Sequence, residues 1–178
     1  MAPAITVSLS APELADVDEL LAFELDNRAF FESMINARPA DYYSAEGVRA
    51  GIAAAQDDAQ TDRSYQFLLR DESGVLVGRV NLSQVRRQHF HAAMLGYRIG
   101  QAHQGRGFAK AAVAQVLAHA FQTLGLARVE ATARSDNPGS LGVLRSNGFD
   151  QFGHSRRSFE LNGVWHDLLH FERHAKAF

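Results

Sequence analysis

Apolar residues in this chain recur with two different periods, and the period changes along its length. Leu14, Val17, Leu20, Leu21 and Leu25 return every three or four positions, which predicts an amphipathic helix entered through Ser10 and Pro12. Residues 5–8 before it form a short strand candidate. Residues 27–39 are less regular, although Phe30, Phe31, Met34 and Ile35 give them a strongly apolar side. Ser44 suits the start of a further helix running to about residue 59 with Gly47 inside it, and the polar run 56–64 reads as a loop. Further on, residues 65–69 and 75–82 predict strands joined by the hairpin turn Asp71-Glu72-Ser73-Gly74. Residues 92–99 predict a strand, 108–124 an alanine-rich helix ended by Gly125, and 128–133 another strand. A short helix starts at Asn137 or Ser135 and stops at Asn147-Gly148. Residues 149–153, 158–161 and 164–171 finish the chain as strands, with Asn162-Gly163 as a type I′ turn pair. Repeats, low-complexity tracts and linkers are absent, so residues 1–178 read as a single α/β domain.

Composition narrows the classes. Apolar residues make up 46% and charged residues 21%, and the net charge of −2 gives no general attraction to nucleic acid or to an anionic membrane. Two basic pairs, Arg86-Arg87 and Arg156-Arg157, read as solvated or cofactor-facing. The chain has no cysteine, which removes disulfides, thiolate-held zinc and a cysteine acyl-enzyme. Its eight histidines lack metal-ligand spacing, so no metal site is expected. Met1-Ala2-Pro3-Ala4-Ile5-Thr6-Val7 has neither the basic start nor the long apolar stretch of a signal peptide, which makes a bacterial-type cytoplasm the default location.

The chemistry concentrates at Gln104-Gly105-Arg106-Gly107-Phe108-Ala109, between a strand and a helix. Two glycines there leave backbone N–H groups uncovered at the positive end of a helix dipole, a site for a phosphate or pyrophosphate. An ordinary strand-to-helix turn shares those glycines. A dinucleotide fingerprint fails because Lys110 stands where the third glycine belongs, and a P-loop fails for want of Gly-Lys-Ser/Thr. The stretch resembles the Q/R-x-x-G-x-G/A signature of the GNAT N-acetyltransferases, with Gln104, Gly107 and Ala109 at its defining positions. Asn137, Ser140 and Gly148-Phe149 stand at the spacing of the second element of that family. Their plainer role is to start and stop a helix. Gly78-Arg79-Val80-Asn81-Leu82-Ser83, Leu95-Gly96-Tyr97 and Gly163-Val164-Trp165-His166-Asp167 further resemble the ribosomal-protein-alanine N-acetyltransferase branch.

That resemblance implies a mixed, mostly antiparallel sheet that splays between its fourth and fifth strands, flanked by helices. It also implies acetyl-CoA as cosubstrate, held by Gln104, Gly105, Arg106, Gly107, Phe108 and Ala109, by Asn137 and Ser140, and by the backbone of Tyr97, Arg98 and Ile99. The reaction it implies is direct transfer of acetyl to a primary amine, most simply a protein N-terminal α-amine, in a monomer or homodimer without nucleic-acid or membrane partners. Small amines (an amino acid, an antibiotic, a polyamine) and a non-catalytic acyl-CoA sensor stay open. The family's usual tyrosine acid on the short helix is replaced by Leu144, which makes Ser140 or water the donor. Glu130 and His91 are candidate bases, with plainer roles as a strand carboxylate paired with a basic residue or facing solvent, and as a hydrogen-bonding residue at the start of a strand. Asp167 is expected to order the last hairpin and Trp165 to pack. The match is thin before residue 64, where the N-terminal helices shape the acceptor side.

Overall fold

In the computed structural model, which describes residues 5–176, seven strands form one sheet. They are β1 (Ser8–Ser10), β2 (Tyr65–Arg70), β3 (Leu76–Arg86), β4 (Ala92–Ile99), β5 (Arg128–Arg134), β6 (Asp150–Leu161) and β7 (Val164–His174). Their spatial order is β1-β2-β3-β4-β5-β7-β6. Every neighbouring pair is antiparallel except β4 and β5. A parallel pair needs a crossover, and here α4 (Phe108–Ala118) supplies it. The other helices are α1 (Val17–Asp26), α2 (Arg28–Glu32), α3 (Ala45–Gln60) and α5 (Pro138–Ser146). The mixed, mostly antiparallel sheet implied by the sequence is the one observed.

The sheet opens at one place. β4 and β5 pair only from Ala92 opposite Arg128 to Leu95 opposite Ala131. Beyond that point residues 96–99 keep their β3 partners, while β5 continues against β7. Helices cover both faces and hold the opening in place. On one face Val113, Val116 and Leu117 of α4 and Leu141 and Leu144 of α5 pack on Val80, Leu82, Leu95, Val129 and Phe171. On the other, Val17, Leu20 and Phe23 of α1 and Val48 and Ile52 of α3 bury Leu68 and Leu76. Burying a side chain of this size contributes about 1.5–3 kcal/mol relative to exposure.

Several expected boundaries shift for identifiable reasons. Residues 5–7 leave the ladder, with Val7 buried and its carbonyl accepting from Gln115 Nε2 of α4 at 2.9 Å, so β1 begins only at Ser8. The first helix starts later than Ser10 and Pro12 suggest, after a single 3-10 turn at Leu14–Asp16. Its buried face also differs from the expected one. Leu14 and Leu25 are exposed, whereas Phe23 and Glu24 are buried. Ser44 does cap α3, its hydroxyl accepting from Gly47 N at 3.0 Å. Residues 56–60, read as loop, belong to that helix. Gly47 is required there because a Cβ would lie 2.2 Å from the Asp41 carbonyl oxygen. The expected breaks between 153 and 158 are a bulge within a continuous β6, at Arg157 with φ +47°. The turns follow their chemistry: Asp71 Oδ1 accepts from Ser73 N and Val75 N, and Asn162 and Gly163 both have positive φ. The N-terminal reading rests partly on residues 1–4, which lie outside the described residues. No helix among the described residues is long and apolar enough to cross a membrane.

Asp62 links the end of α3 to the far end of β3. Its carboxylate pairs with Arg87, whose Nη1 also donates to Leu124 O, and it accepts from Tyr65 OH at 2.6 Å. The Arg87 hydrogen bond holds the Asp62 carboxyl below the ordinary range, against the upward push of burial. A depressed pKa means the folded state favours the carboxylate. This contribution is complete above the unfolded value of about 4 and fades as pH falls through the lower folded value. Asp62→Asn, which tolerates the same left-handed backbone (φ +57°), is therefore expected to lower stability at pH 7 and to lose less on acidification than the parent. Urea midpoints between pH 7 and pH 3 check this, and parallel curves would contradict it.

Candidate active site

Where β4 and β5 part, a cleft of about 320 Å³ opens beside the head of α4. Strand geometry dictates what faces it. Gly100 N–H bonds to Val77 O toward β3, so by alternation the Tyr97 and Ile99 backbone groups point to the gap. Ile99 O accepts from Gln104 Nε2 at 2.6 Å, which fastens the start of the glycine loop to the strand. Gly105 and Gly107 adopt φ of +71° and +87°, the left-handed region that suits glycine. Nothing lies within 4 Å of the position a Gly105 Cβ would take, so that flank of the loop is open. Gly107 then caps α4, whose first-turn N–H groups have no intrahelical partner. This is a fit for a pyrophosphate: backbone donors at the head of a helix, an open flank at Gly105, and a helix dipole of the right sign.

The opposite wall comes from α5. Asn137 caps the helix, its Oδ1 accepting from Ser140 N at 3.1 Å. That bond aims the Ser140 side chain at the strand, where Ser140 Oγ lies 2.9 Å from Tyr97 OH. These are the two hydroxyls that line the cleft among the described residues. Burial pushes the Tyr97 phenol above its ordinary value, with Ser140 acting in the opposite sense, so it is a neutral donor at physiological pH. Leu144, where the resemblance places the family's acid, is 1% exposed in the core.

The sequence-named residues divide into two groups. Tyr97, Arg98, Ile99, Gln104, Gly105, Gly107, Phe108, Ala109, Asn137 and Ser140 all line the cleft. Arg106, Glu130 and His91 are not among the residues that line it. The Arg106 guanidinium lies over the Phe108 ring, 4.9 Å from its centroid, outside the lining. Glu130 is ion-paired with Arg128 at 2.5 Å and Arg86 at 3.2 Å, so its carboxylate has the plainer role of strand pairing. His91 precedes the first residue of β4, about 20 Å of strand from Tyr97 at roughly 3.3 Å per residue. Arg87 is likewise engaged with Asp62, away from the cleft. Asp167 orders the last hairpin: it accepts from the bulged Arg157 N–H at 2.9 Å and pairs with His154 at 2.7 Å. Trp165, expected to pack, is 60% exposed at the hairpin tip.

Sequence reasoning overlooked the lining residues His103, Lys110, Gly139 and Val143, and one whole cluster. Glu24, only 1% exposed, sits on α1 among Arg79, Arg98 and Arg38. A signal existed, since Glu24 falls four residues after Leu20 on the buried stripe of α1. The N-terminal segment reaches the cleft through Asn27, whose Nδ2 donates to Phe23 O and whose Oδ1 accepts from Gln101 N at 2.8 Å. That clamp brings Phe30 and Phe31 of α2, with Met34 and Ile35, over the opening as an apolar wall.

A strand-helix glycine cradle at a splayed parallel pair, walled by a capped short helix, defines an acyl-CoA N-acyltransferase. Residues 6–150 match the acetyltransferase (GNAT) domain family. The chain is 36% identical over 163 residues to the probable N-acetyltransferase YjcK of Bacillus subtilis, covering 91% of this chain and 90% of that protein. It is 27% identical over 153 residues to the [ribosomal protein uS5]-alanine N-acetyltransferase of Escherichia coli, covering 85% and 79%. The structure of Mycobacterium smegmatis RimJ in complex with CoA-disulfide superposes with a TM-score of 0.87 at 25% identity, covering 96% of this chain and 82% of that one. The chain belongs to the GNAT family and is an acetyl-CoA-dependent acetyltransferase acting on amines.

Proposed function

We propose that the chain works as one GNAT domain over its length and acetylates an N-terminal α-amine of a protein by direct attack in a ternary complex. The observation that carries this reading is the Tyr97–Ser140 hydroxyl pair, 2.9 Å apart, at the mouth of the β4–β5 opening and beside the glycine loop. The likeness to a ribosomal-protein-alanine acetyltransferase supports a protein acceptor. Acetyl-CoA supplies an activated thioester. Gly105, Gly107 and the first turn of α4 bind the pyrophosphate, and Asn137 Nδ2 is available to the pantetheine amides. Tyr97 and Ile99 N–H groups, facing the gap, stabilise the negative charge that develops on the carbonyl oxygen.

As the amine nitrogen bonds to the carbonyl carbon and the carbon–sulfur bond breaks, one proton leaves nitrogen and one reaches sulfur. Ser140 donates the latter, Tyr97 restores it through their shared hydrogen bond, and the proton released by the amine returns through water to Tyr97. No aspartate or glutamate lines the cleft among the described residues, and we assign the amine's proton to water. The chain has no cysteine to carry an acyl group, which fits direct attack.

Release of CoA thiol with a panel of N-terminal peptides and small amines tests the reading. Ser140→Ala is expected to lower kcat about tenfold, below the full range of general acid catalysis because water substitutes in part. Affinity for CoA should stay within about twofold of the parent, since the hydroxyl acts in the transition state rather than in binding. Tyr97→Phe should act alike, and the double variant should be no worse than the weaker single, because the two hydroxyls form one unit. Unchanged turnover in Ser140→Ala removes it from the mechanism. Absence of turnover with every amine, despite tight CoA binding, favours a sensor.

A further inference from the structure

Strand alternation sends Tyr97 and Arg98 to opposite faces of β4. Tyr97 meets α5, whereas Arg98 reaches α1 and α2, where its guanidinium lies 5.2 Å from the Phe31 ring centroid and still lines the cleft. Behind it stand two more guanidiniums, Arg79 and Arg38, around the single carboxylate of Glu24. Among the described residues no other carboxylate lies within ion-pair distance of any of the three. The cluster therefore carries two positive charges more than it neutralises, against a chain whose net charge is −2.

The hydrogen-bond accounting shows where that excess is available. Arg79 makes three hydrogen bonds, donating to Glu24 at 2.6 Å, Tyr42 OH at 2.9 Å and Gln66 Oε1 at 2.8 Å. Arg38 lies over the Tyr42 ring at 4.3 Å, and its buried Nε has no hydrogen-bond partner, 4.0 Å from Glu24. Arg98 has five N–H donors and makes one long hydrogen bond, 3.4 Å to Glu24 Oε2. Its side chain is 21% exposed. Burial, with the charges of Arg38 and Arg79, brings its pKa down to about 10, opposed by Glu24. It remains a cation at neutral pH, in a site where a second anion relieves the repulsion. Held against Phe31, its planar fork presents donors in the geometry a carboxylate accepts bidentately.

We propose that Arg98 is a specificity-determining residue that binds a carboxylate on the acetyl acceptor, so that the preferred substrate is an amine with an acidic group close by. This rests on the acetyltransferase reading and gives it a substrate class. The apolar wall of Phe30, Phe31, Met34 and Ile35 then contacts the aliphatic part of the acceptor. Two sources share this chemistry: an acidic side chain just after a peptide N-terminus, and the α-carboxylate of a free amino acid. A polycationic amine is disfavoured at the same place.

The test compares kcat/KM for CoA release with the peptides Ala-Glu-Ala-Ala-amide and Ala-Gln-Ala-Ala-amide, with alanine against alaninamide, and with spermidine. One of the two acidic acceptors should exceed its amide by about tenfold, the scale of a charge-assisted bidentate contact, and which one does so identifies the source. That advantage should shrink as ionic strength rises, fall toward unity in Arg98→Gln and persist in part in Arg98→Lys. The acid-to-amide ratio and its salt dependence are measured on the parent protein, so the proposal stays testable if Arg98→Gln does not fold. Equal rates for acid and amide, with robust turnover, overturn this proposal and leave the acetyltransferase reading standing. A preference for spermidine overturns it as well, and absence of turnover with every amine overturns both.

Discussion

Glu24→Ala is expected to destabilise the protein by about 3–5 kcal/mol, the cost of breaking a buried ion pair by removing one partner. Glu24 is 1% exposed and is the carboxylate that Arg79, Arg98 and Arg38 share. Its removal leaves Arg79, with a side chain 14% exposed, holding only Tyr42 and Gln66. Three guanidiniums then repel one another beneath α1, and the truncated side chain also leaves a void. A loss of this size is a large part of the 5–15 kcal/mol that usually holds a domain together. Glu24→Gln, which keeps the volume and an acceptor oxygen but not the charge, should lie between parent and alanine. Urea or guanidinium unfolding measures both variants. A loss below about 1 kcal/mol for the alanine variant would mean that the guanidiniums rehydrate and that the cluster is not an electrostatic lock.

The second large effect falls on the cofactor. Gly107→Val is expected to weaken CoA binding by about a hundredfold or more, a loss of roughly 2.7 kcal/mol. Its φ of +87° is one a β-branched residue resists, with a cost of about 1–3 kcal/mol. The new Cβ would also lie 2.7 Å from Ile5 Cδ1. Gly107 is the cap of α4, so the loop can relieve this strain only by turning its N–H groups out of register with the helix dipole. Binding therefore suffers more than the fold, because α4 keeps Val113, Val116 and Leu117 in the core. Calorimetric titration with CoA, alongside a thermal melt, separates the two. Affinity within about threefold of the parent in a folded variant would remove the loop from the pyrophosphate site.

Legibility followed how local each signal was. The glycine loop, the Asn137 cap and the Asn162-Gly163 turn were readable because a few adjacent residues fix their backbone. The cleft residues Tyr97 to Ile99, Gln104, Gly105 and Gly107 to Ala109 were readable for the same reason, helped by family resemblance. Glu130 and His91 were named by residue type alone, whereas acid–base chemistry depends on distance. A carboxylate or imidazole in the right segment says nothing of which strand end it occupies or which arginine takes it. Trp165 was misjudged similarly, since a tryptophan at a hairpin tip meets core only if another element folds over it. The extension of α3 through residues 56–60 was hidden because polar residues on a solvated helix face look like a loop.

Arg98 shows the limit most clearly. Its place after Tyr97 was visible, but a strand sends alternate side chains to opposite faces, and what each meets comes from segments far away in the chain. Glu24 lies 74 residues from Arg98, and Ser140 lies 43 from Tyr97. The sequence by itself determined the local frame of the donor side: period, turn residues and two glycines specify a strand, a loop and a helix whose first-turn N–H groups are uncovered. Only the tertiary structure decided the rest, namely which hydroxyls pair, which carboxylates are spent on arginines, and which guanidinium makes a single long hydrogen bond. Backbone conformation is set by neighbours in sequence, whereas charge balance and hydrogen-bond partnership are set by neighbours in space.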